Sequence, residues 1–455
     1  MLSAIFEQFV EQSPLSVMVR GLMERVFAPE RIDRIFENNA KVQYTRELLF
    51  SSLVELMSLV VCGIYPSVNA AYRKKAEQLN VSRTAVYDKL NGVEPNVSAA
   101  IVRETAIPMA SIIEIVGGKS PQLLKGYRTR IIDGNCLEKT DHRLKVLRTI
   151  SAGALPGKSL VVLDPELRLA INIFLCEDGH AQERSLFDEV LKTVKPGELW
   201  IGDRNMCTLG FLFGLHRNRS NFVIREHKSM PWEAIEPLQP VDCTETGDLF
   251  EQTVRLTLDK ESLLVRRVVL ELKNPTRNGE NQIAIFTMLP PKIVDSALVA
   301  KLYQGRWRVE NLFFTVTENY KCEIKTLGYP KAALFSFGLA LVSYNILATI
   351  RAVLASVHGV GKIEAGLSDY YIVDEIQGTY RGMMIAIAPE YWSVFTNFSL
   401  EHLADTLQYL ASQVRLSSFL KQPRTPKKKK DPPQYDPRHP HVSTAKLLAN
   451  AKNSP

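Results

Sequence analysis

Three acidic residues stand where carboxylates from separate segments could act together. Asp133 and Asp203 each end a short apolar run, and Glu310 lies in a segment with helical spacing. Carboxylates from different elements can hold two divalent cations that activate a nucleophile and stabilise the leaving oxygen during in-line attack on a phosphodiester. Hard oxygen ligands favour Mg²⁺, with Mn²⁺ as a substitute. The three acids therefore predict metal-dependent phosphodiester chemistry.

Glu310 shares its segment with two other polar side chains. Tyr303, Arg306 and Glu310 are spaced i, i+3, i+7, which stacks them along one side of a helix. Taken alone, the segment also fits an exposed polar face with an internal Arg306–Glu310 ion pair. The two earlier acids at strand ends favour the catalytic interpretation, with Glu318 as the alternative third acid.

Other acids have ordinary structural explanations. Asp164 precedes Pro165, which is typical of a turn. Asp178, Glu183 and Asp188 precede or line a predicted helix, and acids are favoured near helix N-termini. The predicted active site therefore keeps the three acids named above.

An alternation of strands and helices positions the two strand-end acids. Residues 130–133 and 199–203 have the composition of short buried strands. The other segments of this block are a hairpin at 159–163 and 169–175, helices at about 181–194 and 208–217, and a strand at 222–225. This order indicates an α/β sheet, and right-handed crossovers would place Asp133 and Asp203 on neighbouring strands.

The pattern of apolar residues changes twice along the rest of the chain. Residues 1–120 show helical spacing, about 226–291 shows the alternation of an inserted β subdomain, and helices follow from 296 to about 416. The stretch 332–350 carries no charge and could span a bilayer by length. Because it contains Gly338, Ser343 and Asn345, we interpret it as a buried core helix and expect no membrane partner.

Residues 70–91 have the pattern of a helix-turn-helix, in which Ser82 would cap the second helix. The residues that would pack its two helices together are Ala76, Leu79, Val81, Val86 and Leu90. The residues that would face DNA are Arg83, Thr84, Tyr87 and Lys89. Further phosphate-binding charge on the first helix would come from Arg73, Lys74 and Lys75.

The positive charge of the chain is concentrated at one end. The net charge is +7, and nine Lys/Arg with two Asp from Lys421 to Pro455 account for all of it. This tail has no apolar period, so we predict disorder and a salt-sensitive, sequence-independent affinity for DNA. The six cysteines form no CxxC pair and the N-terminus lacks a signal-peptide pattern. Both features favour reduced thiols in a cytoplasm and oppose a zinc site.

The chain resembles the DDE transposases of bacterial insertion sequences, in the large subgroup with a Tyr-x2-Arg-x3-Glu-x6-Lys signature. Ile132-Asp133-Gly134 and Ile201-Gly202-Asp203-Arg204-Asn205 resemble the first two catalytic strands, and Tyr303, Arg306 and Glu310 match the third motif. The similarity covers about residues 125–350. It implies an RNase H-like catalytic core with an inserted β subdomain, flanked by helical N- and C-terminal regions. In such enzymes the acids bind Mg²⁺ and the Tyr and Arg hold phosphates.

Four regions follow from these observations. They are a helical DNA-binding domain at 1–120, a catalytic core at 125–350 interrupted at about 226–291, a C-terminal helical region at 351–420 and a basic disordered tail at 421–455.

The sequence departs from the subgroup at two points. Thr317 stands at the Lys position of the signature, and Lys321 lies eleven residues after Glu310, about three helical turns along nearly the same face. We hypothesise that Lys321 supplies this phosphate contact. Relatives that release DNA through a hairpin unstack a base with an inserted aromatic. No Trp lies between Trp232 and Trp307, and Phe286 is a poor substitute, so the excision pathway stays open.

Three functions are compatible with these motifs. The resemblance implies a transposase that binds terminal inverted repeats, cuts at the transposon ends and joins the 3′-OH to target DNA. It would act as a homodimer in a synaptic complex, in the cytoplasm and associated with the nucleoid. A catalytically decayed or domesticated sequence-specific DNA-binding protein is the second function, which Thr317 favours. A general RNase H-like nuclease, cleaving without joining strands, is the third.

Overall fold

The computed structural model describes residues 2–43, 47–276, 279–319, 324–421 and 441–453. The α-helices are α1 (Glu7–Gln12), α2 (Pro14–Val26), α3 (Pro29–Asn39), α4 (Phe50–Val61), α5 (Val68–Leu79), α6 (Arg83–Gly92), α7 (Pro95–Ile115), α8 (Phe187–Leu191), α9 (Leu209–Arg217), α10 (Ser296–Gln304), α11 (Trp307–Phe314), α12 (Pro330–His358), α13 (Val360–Gly366), α14 (Asp369–Ala386), α15 (Pro389–Trp392), α16 (Val394–Asn397), α17 (Leu400–Gln413) and α18 (Thr444–Asn453). The strands are β1 (Arg128–Cys136), β2 (Gly153–Leu155), β3 (Lys158–Asp164), β4 (Leu169–Cys176), β5 (Glu198–Gly202), β6 (Asn221–Arg225), β7 (Glu233–Ala234), β8 (Gln239–Cys243), β9 (Gly247–Leu258), β10 (Glu261–Leu272), β11 (Gln282–Thr287) and β12 (His441–Ser443).

One mixed sheet runs through the centre of the described chain. Its strand order is β4-β3-β1-β5-β6-β11-β10-β9-β7, and β8 also pairs with β9. The β1–β5 and β5–β6 pairs are parallel, while β3 pairs antiparallel with both β1 and β4. This order confirms the predicted α/β fold with an RNase H-like core, flanked by helical N- and C-terminal regions.

The two faces of the sheet are covered by different helices. Ile131 and Ile201 pack into the apolar cluster that contains residues of α7, α11 and α12. Ile132 and Trp200 point the other way, into the cluster that contains residues of α8 and α9. Because side chains alternate along a strand, Asp133 and Asp203 lie on the same face as Ile131 and Ile201, which is the face that α11 covers.

The predicted β-rich insertion consists of strands that lengthen the core sheet. β11 pairs antiparallel with β6, and β10 and β9 follow in register. The insertion is thus continuous with the catalytic sheet through backbone hydrogen bonds. Phe286 on β11 is fully buried, so it cannot stack on a base in this conformation.

The long apolar stretch forms the central helix of the fold. Among the described residues, α12 is the one helix long and apolar enough to cross a membrane by composition, and 89% of its most apolar window is buried inside the protein. Helices from both ends of the chain, including α4, α7 and α17, pack against it. The interpretation of this stretch as a core helix is confirmed.

The first part of the predicted helical region, from residue 296, is divided into three elements. α10 ends at Gln304, α11 begins at Trp307, and a π-helix follows at Thr315–Asn319. Gly305 and Arg306 keep αR dihedrals across the first junction, so the chain direction changes little. Breaks of this kind inside a helical segment are often found at functional sites.

The prediction of a disordered tail from 421 to 455 is wrong for residues 441–453. β12 pairs in parallel with β2, and α18 follows it directly. Lys446 Nζ lies 2.9 Å from Asp178 Oδ2. Strand pairing and this ion pair hold residues 441–453 in place, although their sequence shows no periodic apolar pattern. Residues 422–440, which include the Lys427–Lys430 run, lie outside the described residues.

Candidate active site

The two strand-end acids lie side by side. In the parallel pairing of β1 with β5, Ile132 is opposite Gly202, so the next residues, Asp133 and Asp203, leave neighbouring strands at the same level. Neighbouring strands are about 4.8 Å apart. Asp203 then caps a 3₁₀ turn at Arg204–Met206, where its Oδ1 accepts a hydrogen bond of 2.9 Å from the Asn205 N–H.

Arg306 connects the first acid to the third. Its Nη1 lies 2.5 Å from Asp133 Oδ2, and its Nη2 lies 2.5 Å from Glu310 Oε1. The Arg306–Glu310 pair that the sequence suggested as a simpler interpretation therefore exists. The same guanidinium, however, also bonds to a strand-end acid, so the pair is part of the acidic site and not an isolated surface contact.

The pKa of Asp133 is strongly raised by its surroundings. Burial, together with the charges of Asp203 and Glu310, raises the pKa of Asp133 to about 7, although Arg306 and the Gly134 N–H act in the opposite direction. A carboxylate whose neighbours are two further carboxylates is an environment in which an added cation is stabilised. The electrostatics of the site therefore favour a positively charged ligand.

Tyr303 and a second arginine form the wall next to these acids. Tyr303 is buried, and its ring centroid lies 5.9 Å from the Arg306 guanidinium carbon. The Arg225 guanidinium at the end of β6 lies close enough to Tyr303 for its charge to act on the pKa of the phenol. Arg225 Nη2 is held by Glu280 Oε2 at 2.6 Å, and Glu280 also binds Arg204. The sequence gave no reason to select Arg225, because it reaches the site only through the order of the strands.

A fourth acid, Glu183, lies in the site although the sequence analysis set it aside. Its Oε2 accepts a hydrogen bond of 3.3 Å from the side chain of Asn205. A Cβ atom added at Gly134 would collide with its carboxylate. Burial and the charge of Asp203 raise the pKa of Glu183. Its half-buried position arises because the 3₁₀ turn at Glu183–Leu186 folds against the end of β1, a contact that local sequence does not encode.

The other acids occupy different places. Asp164 accepts hydrogen bonds from the N–H groups of Glu166 and Leu167 and forms the predicted turn. Glu318, the alternative third acid, lines a cleft of about 920 Å³ together with Arg308 and Asn311. Glu310, through Arg306, is therefore the helical acid that is connected to Asp133.

The structure describes one of the two residues considered for the lysine position of the signature. Lys321 lies outside the described residues. Thr317, at the Lys position of the signature, lies in the π-helix, and its hydroxyl donates to the Phe313 carbonyl oxygen at 2.9 Å. The Thr317 hydroxyl is therefore already hydrogen-bonded within the helix.

The donor types of the site suit a divalent cation, although their present arrangement does not enclose one. Asp133, Asp203 and Glu310 offer hard oxygen donors, which suit Mg²⁺ or Mn²⁺. In the part of the chain that the structure describes, no group of three Asp, Glu, His or Cys side chains is arranged to hold a metal ion. Arg306 binds two of the three acids, so bringing them onto a common cation requires its side chain to shift.

The helix-turn-helix segment has the predicted helices, α5 and α6. Ser82 caps α6 by accepting from the Ala85 N–H at 3.1 Å, and Val86 and Leu90 are buried. Arg83 and Thr84 are exposed, whereas Tyr87 is half-buried. Lys89 departs from the expectation that it faces DNA, because its Nζ lies 4.7 Å from the centroid of the Phe36 ring. Lys75 likewise pairs with Glu55.

Comparison with known proteins bears on the region that contains these acids. Residues 124–346 match the family described as Transposase DDE domain. The match covers β1, β5 and α11, and thus all three acids. The search of curated proteins gave no match.

Proposed function

We propose that the chain acts as a DDE-type transposase, the family whose domain matches residues 124–346, and that Asp133, Asp203 and Glu310 carry its chemistry on DNA. The observation that supports this assignment is the pair of bonds from Arg306 to Asp133 and Glu310, next to the parallel register of Asp133 and Asp203. Membership of the subgroup with the Tyr-x2-Arg-x3-Glu-x6-Lys signature is part of the proposal.

The three acids would hold Mg²⁺, or Mn²⁺ in its place. When bound, the metal supplies a Lewis acid that lowers the pKa of the attacking water and stabilises the leaving oxygen. The acids act as ligands and not as proton shuttles. The nucleophile is water in the cleavage step and the freed 3′-OH in the joining step, so the reaction needs no covalent enzyme intermediate.

Arg306 and Tyr303 would hold a phosphate of the transposon end beside the acids. An arginine guanidinium binds phosphate oxygens with charge-assisted hydrogen bonds. Arg306 Nε is buried without a hydrogen-bond partner in the described part of the chain. A phosphate oxygen could satisfy this donor once the side chain leaves Asp133. Lys321 keeps its proposed phosphate contact, and Arg83, Thr84 and Tyr87 contact DNA from α6.

The whole protein would bind the terminal inverted repeats as a homodimer, since both ends must be held together before strand transfer. It would act on DNA in the bacterial cytoplasm, associated with the nucleoid. The second candidate, a decayed DNA-binding protein, is favoured by Thr317 alone, because the signature Lys is missing while the three acids and Arg306 are present.

The decisive experiment uses purified protein, DNA that carries the element's own ends, and Mg²⁺. The inverted repeats that flank the gene supply the substrate sequence. We expect nicking at the ends and joining to a target plasmid, both abolished by EDTA and by Asp133→Asn. Binding without nicking would indicate the decayed protein, and cleavage of any duplex without joining would indicate a general nuclease.

A further inference from the structure

We propose that Glu183 is a positioning residue of the active site, which holds Asp203 through Asn205 and bounds the space beside Asp133. This inference rests on the proposed function of the three acids. It adds a residue that matches no part of the signature.

The first link is a chain of two hydrogen bonds. Glu183 Oε2 accepts from the Asn205 side-chain amide at 3.3 Å, and the Asn205 backbone N–H donates to Asp203 Oδ1 at 2.9 Å. Asn205 thus binds one carboxylate with its side chain and another with its main chain. Moving Glu183 away leaves Asn205 free to rotate, and the Arg204–Met206 turn that orients Asp203 loses this support.

The second link is steric and involves the other strand-end acid. Gly134 donates its N–H to Asp133 Oδ1 at 2.9 Å, and the space beside its Cα is filled by the Glu183 carboxylate. A side chain at this position would push the Glu183 carboxylate out of the space that it fills. Glu183 therefore contacts Gly134, the residue after Asp133, and Asn205, the second residue after Asp203.

The segment that carries Glu183 is itself fixed to the sheet. Lys158 on β3 donates from Nζ to the Ala181 carbonyl oxygen at 2.9 Å, two residues before Glu183. The Ser185 hydroxyl donates to the Gln182 carbonyl oxygen at 2.8 Å within the same turn. A half-buried carboxylate beside Asp203 is unfavourable for stability, and these contacts hold Glu183 in that position. Such a placement is expected of a residue that serves the site.

The experiment compares variants of the full-length protein. Glu183→Ala removes the acceptor, Glu183→Gln keeps an oxygen that can accept from Asn205, and Asn205→Ala removes the intermediate residue. The control is Glu189→Ala, an exposed acid on α8 that pairs with Lys192. Mn²⁺ affinity is measured by electron paramagnetic resonance of the free protein, and end cleavage is measured separately.

We expect Glu183→Ala to weaken Mn²⁺ binding and slow cleavage roughly 10-fold, the lower limit for residues that orient metal ligands. Glu183→Gln should restore both to within about threefold of the native protein, because only the acceptor oxygen is required. Combining Glu183→Ala with Asn205→Ala should cost no more than Glu183→Ala alone, since the Asn205 side chain acts through Glu183. Glu189→Ala should leave both readouts unchanged.

The inference is overturned if Glu183→Ala keeps native Mn²⁺ affinity, if Glu183→Gln is as impaired as Glu183→Ala, or if the two alanine effects add. Glu183→Gln preserves shape, so the comparison stays decisive should the alanine variant fold poorly. Failure of the proposed function gives a different result. In that case the native protein itself binds no Mn²⁺ and cleaves no DNA.

Discussion

The two halves of the central sheet use charge in opposite ways. In the core half, one guanidinium, that of Arg306, binds both Asp133 and Glu310. Asp203 lies beside Asp133 at the end of the neighbouring strand. In the inserted half, arginines are paired with glutamates, as in the Arg267–Glu226 pair of 2.7 Å. Excess charge of one sign is costly for folding unless a ligand compensates it. The comparison therefore supports the proposed chemistry of the core half, whereas the insertion is held by paired charges.

The Glu280 loop connects the two halves. Glu280 lies between β10 and β11 of the insertion and binds Arg225 at the end of β6. Arg225 in turn lies near Tyr303, beside the acids, and its charge acts on the pKa of that phenol. Through Glu280, the inserted half thus fixes the position of Arg225 beside the acids of the core half.

The largest effect is expected from neutralising an acid of the core half. Asp203→Asn should slow end cleavage about 10³-fold, because removing a ligand forfeits several kcal/mol of metal stabilisation in the transition state. DNA affinity should stay native, since α5 and α6 are untouched. Cleavage of labelled end DNA and a gel-shift titration provide the two readouts. The control is Glu261→Gln in the exposed pair with Arg217, which should cleave normally. Equal activity of the two variants would contradict the assignment.

The next effect is on stability and belongs to the inserted half. Arg266 is buried, makes two bonds of 2.7 Å to Glu251, and donates to the Leu289 and Val294 carbonyl oxygens. Glu251→Ala leaves this charge buried without its partner, so the free energy of unfolding should fall by about 3–5 kcal/mol. Glu261→Ala in the exposed pair should cost at most about 1 kcal/mol. Urea denaturation measures both, and a similar small loss in the two variants would refute the distinction.

A third prediction concerns the pH dependence of the core half. The pKa of Asp133 is raised from 3.8 to about 7, so between these values the folded protein retains a proton that the unfolded chain has released. The stability contributed by this group is complete below pH 4 and is lost as the pH rises toward 7. In EDTA, the stability of Asp133→Asn relative to the native protein should therefore increase over this range and level off above it.

Urea titrations of both proteins at several pH values measure this difference. A difference that stays constant from pH 4 to 8 would exclude the raised pKa. Because a metal ligand must be deprotonated, Mn²⁺ affinity of the native protein should increase over the same interval. The inserted half offers the contrast, since Arg266 and Ser296 lower the pKa of Glu251 against the effect of its burial.

Whether the sequence predicted a feature of this site depends on how far apart along the chain the contacting residues lie. Asp133 and Asp203 were predictable because short apolar runs end on them and the crossover rule orders their strands. The cap by Ser82 was equally local. Glu183 was not, because its proximity to Gly134 and Asn205 depends on a turn that folds across two strands. The position of Lys89 over Phe36 also joins distant segments.

The same limit applies to the tail. β12 has three residues and no apolar alternation, so its pairing with β2 depends on a surface elsewhere in the chain. The extension of the sheet by the insertion is a similar case. The sequence predicted β strands there, and only the register of β11 with β6 joins them to the core.

The smallest effects are expected from substitutions on α6. This helix carries one basic residue without an ion pair in the described part of the chain and one that packs on an aromatic ring, so the two can be compared directly. Arg83 is exposed and forms no ion pair within the described ranges, whereas Lys89 lies against Phe36. Arg83→Ala should weaken DNA binding and reduce the salt dependence of log affinity by about one unit, as expected for one lost phosphate contact. Lys89→Ala should leave DNA binding nearly native and lower the free energy of unfolding by about 0.5–1 kcal/mol through the lost cation–π contact. Fluorescence anisotropy across a salt series separates the two variants. An equal loss of DNA affinity in both would mean that Lys89 leaves Phe36 to reach the DNA, and that a charge placed against an aromatic ring is still available for binding.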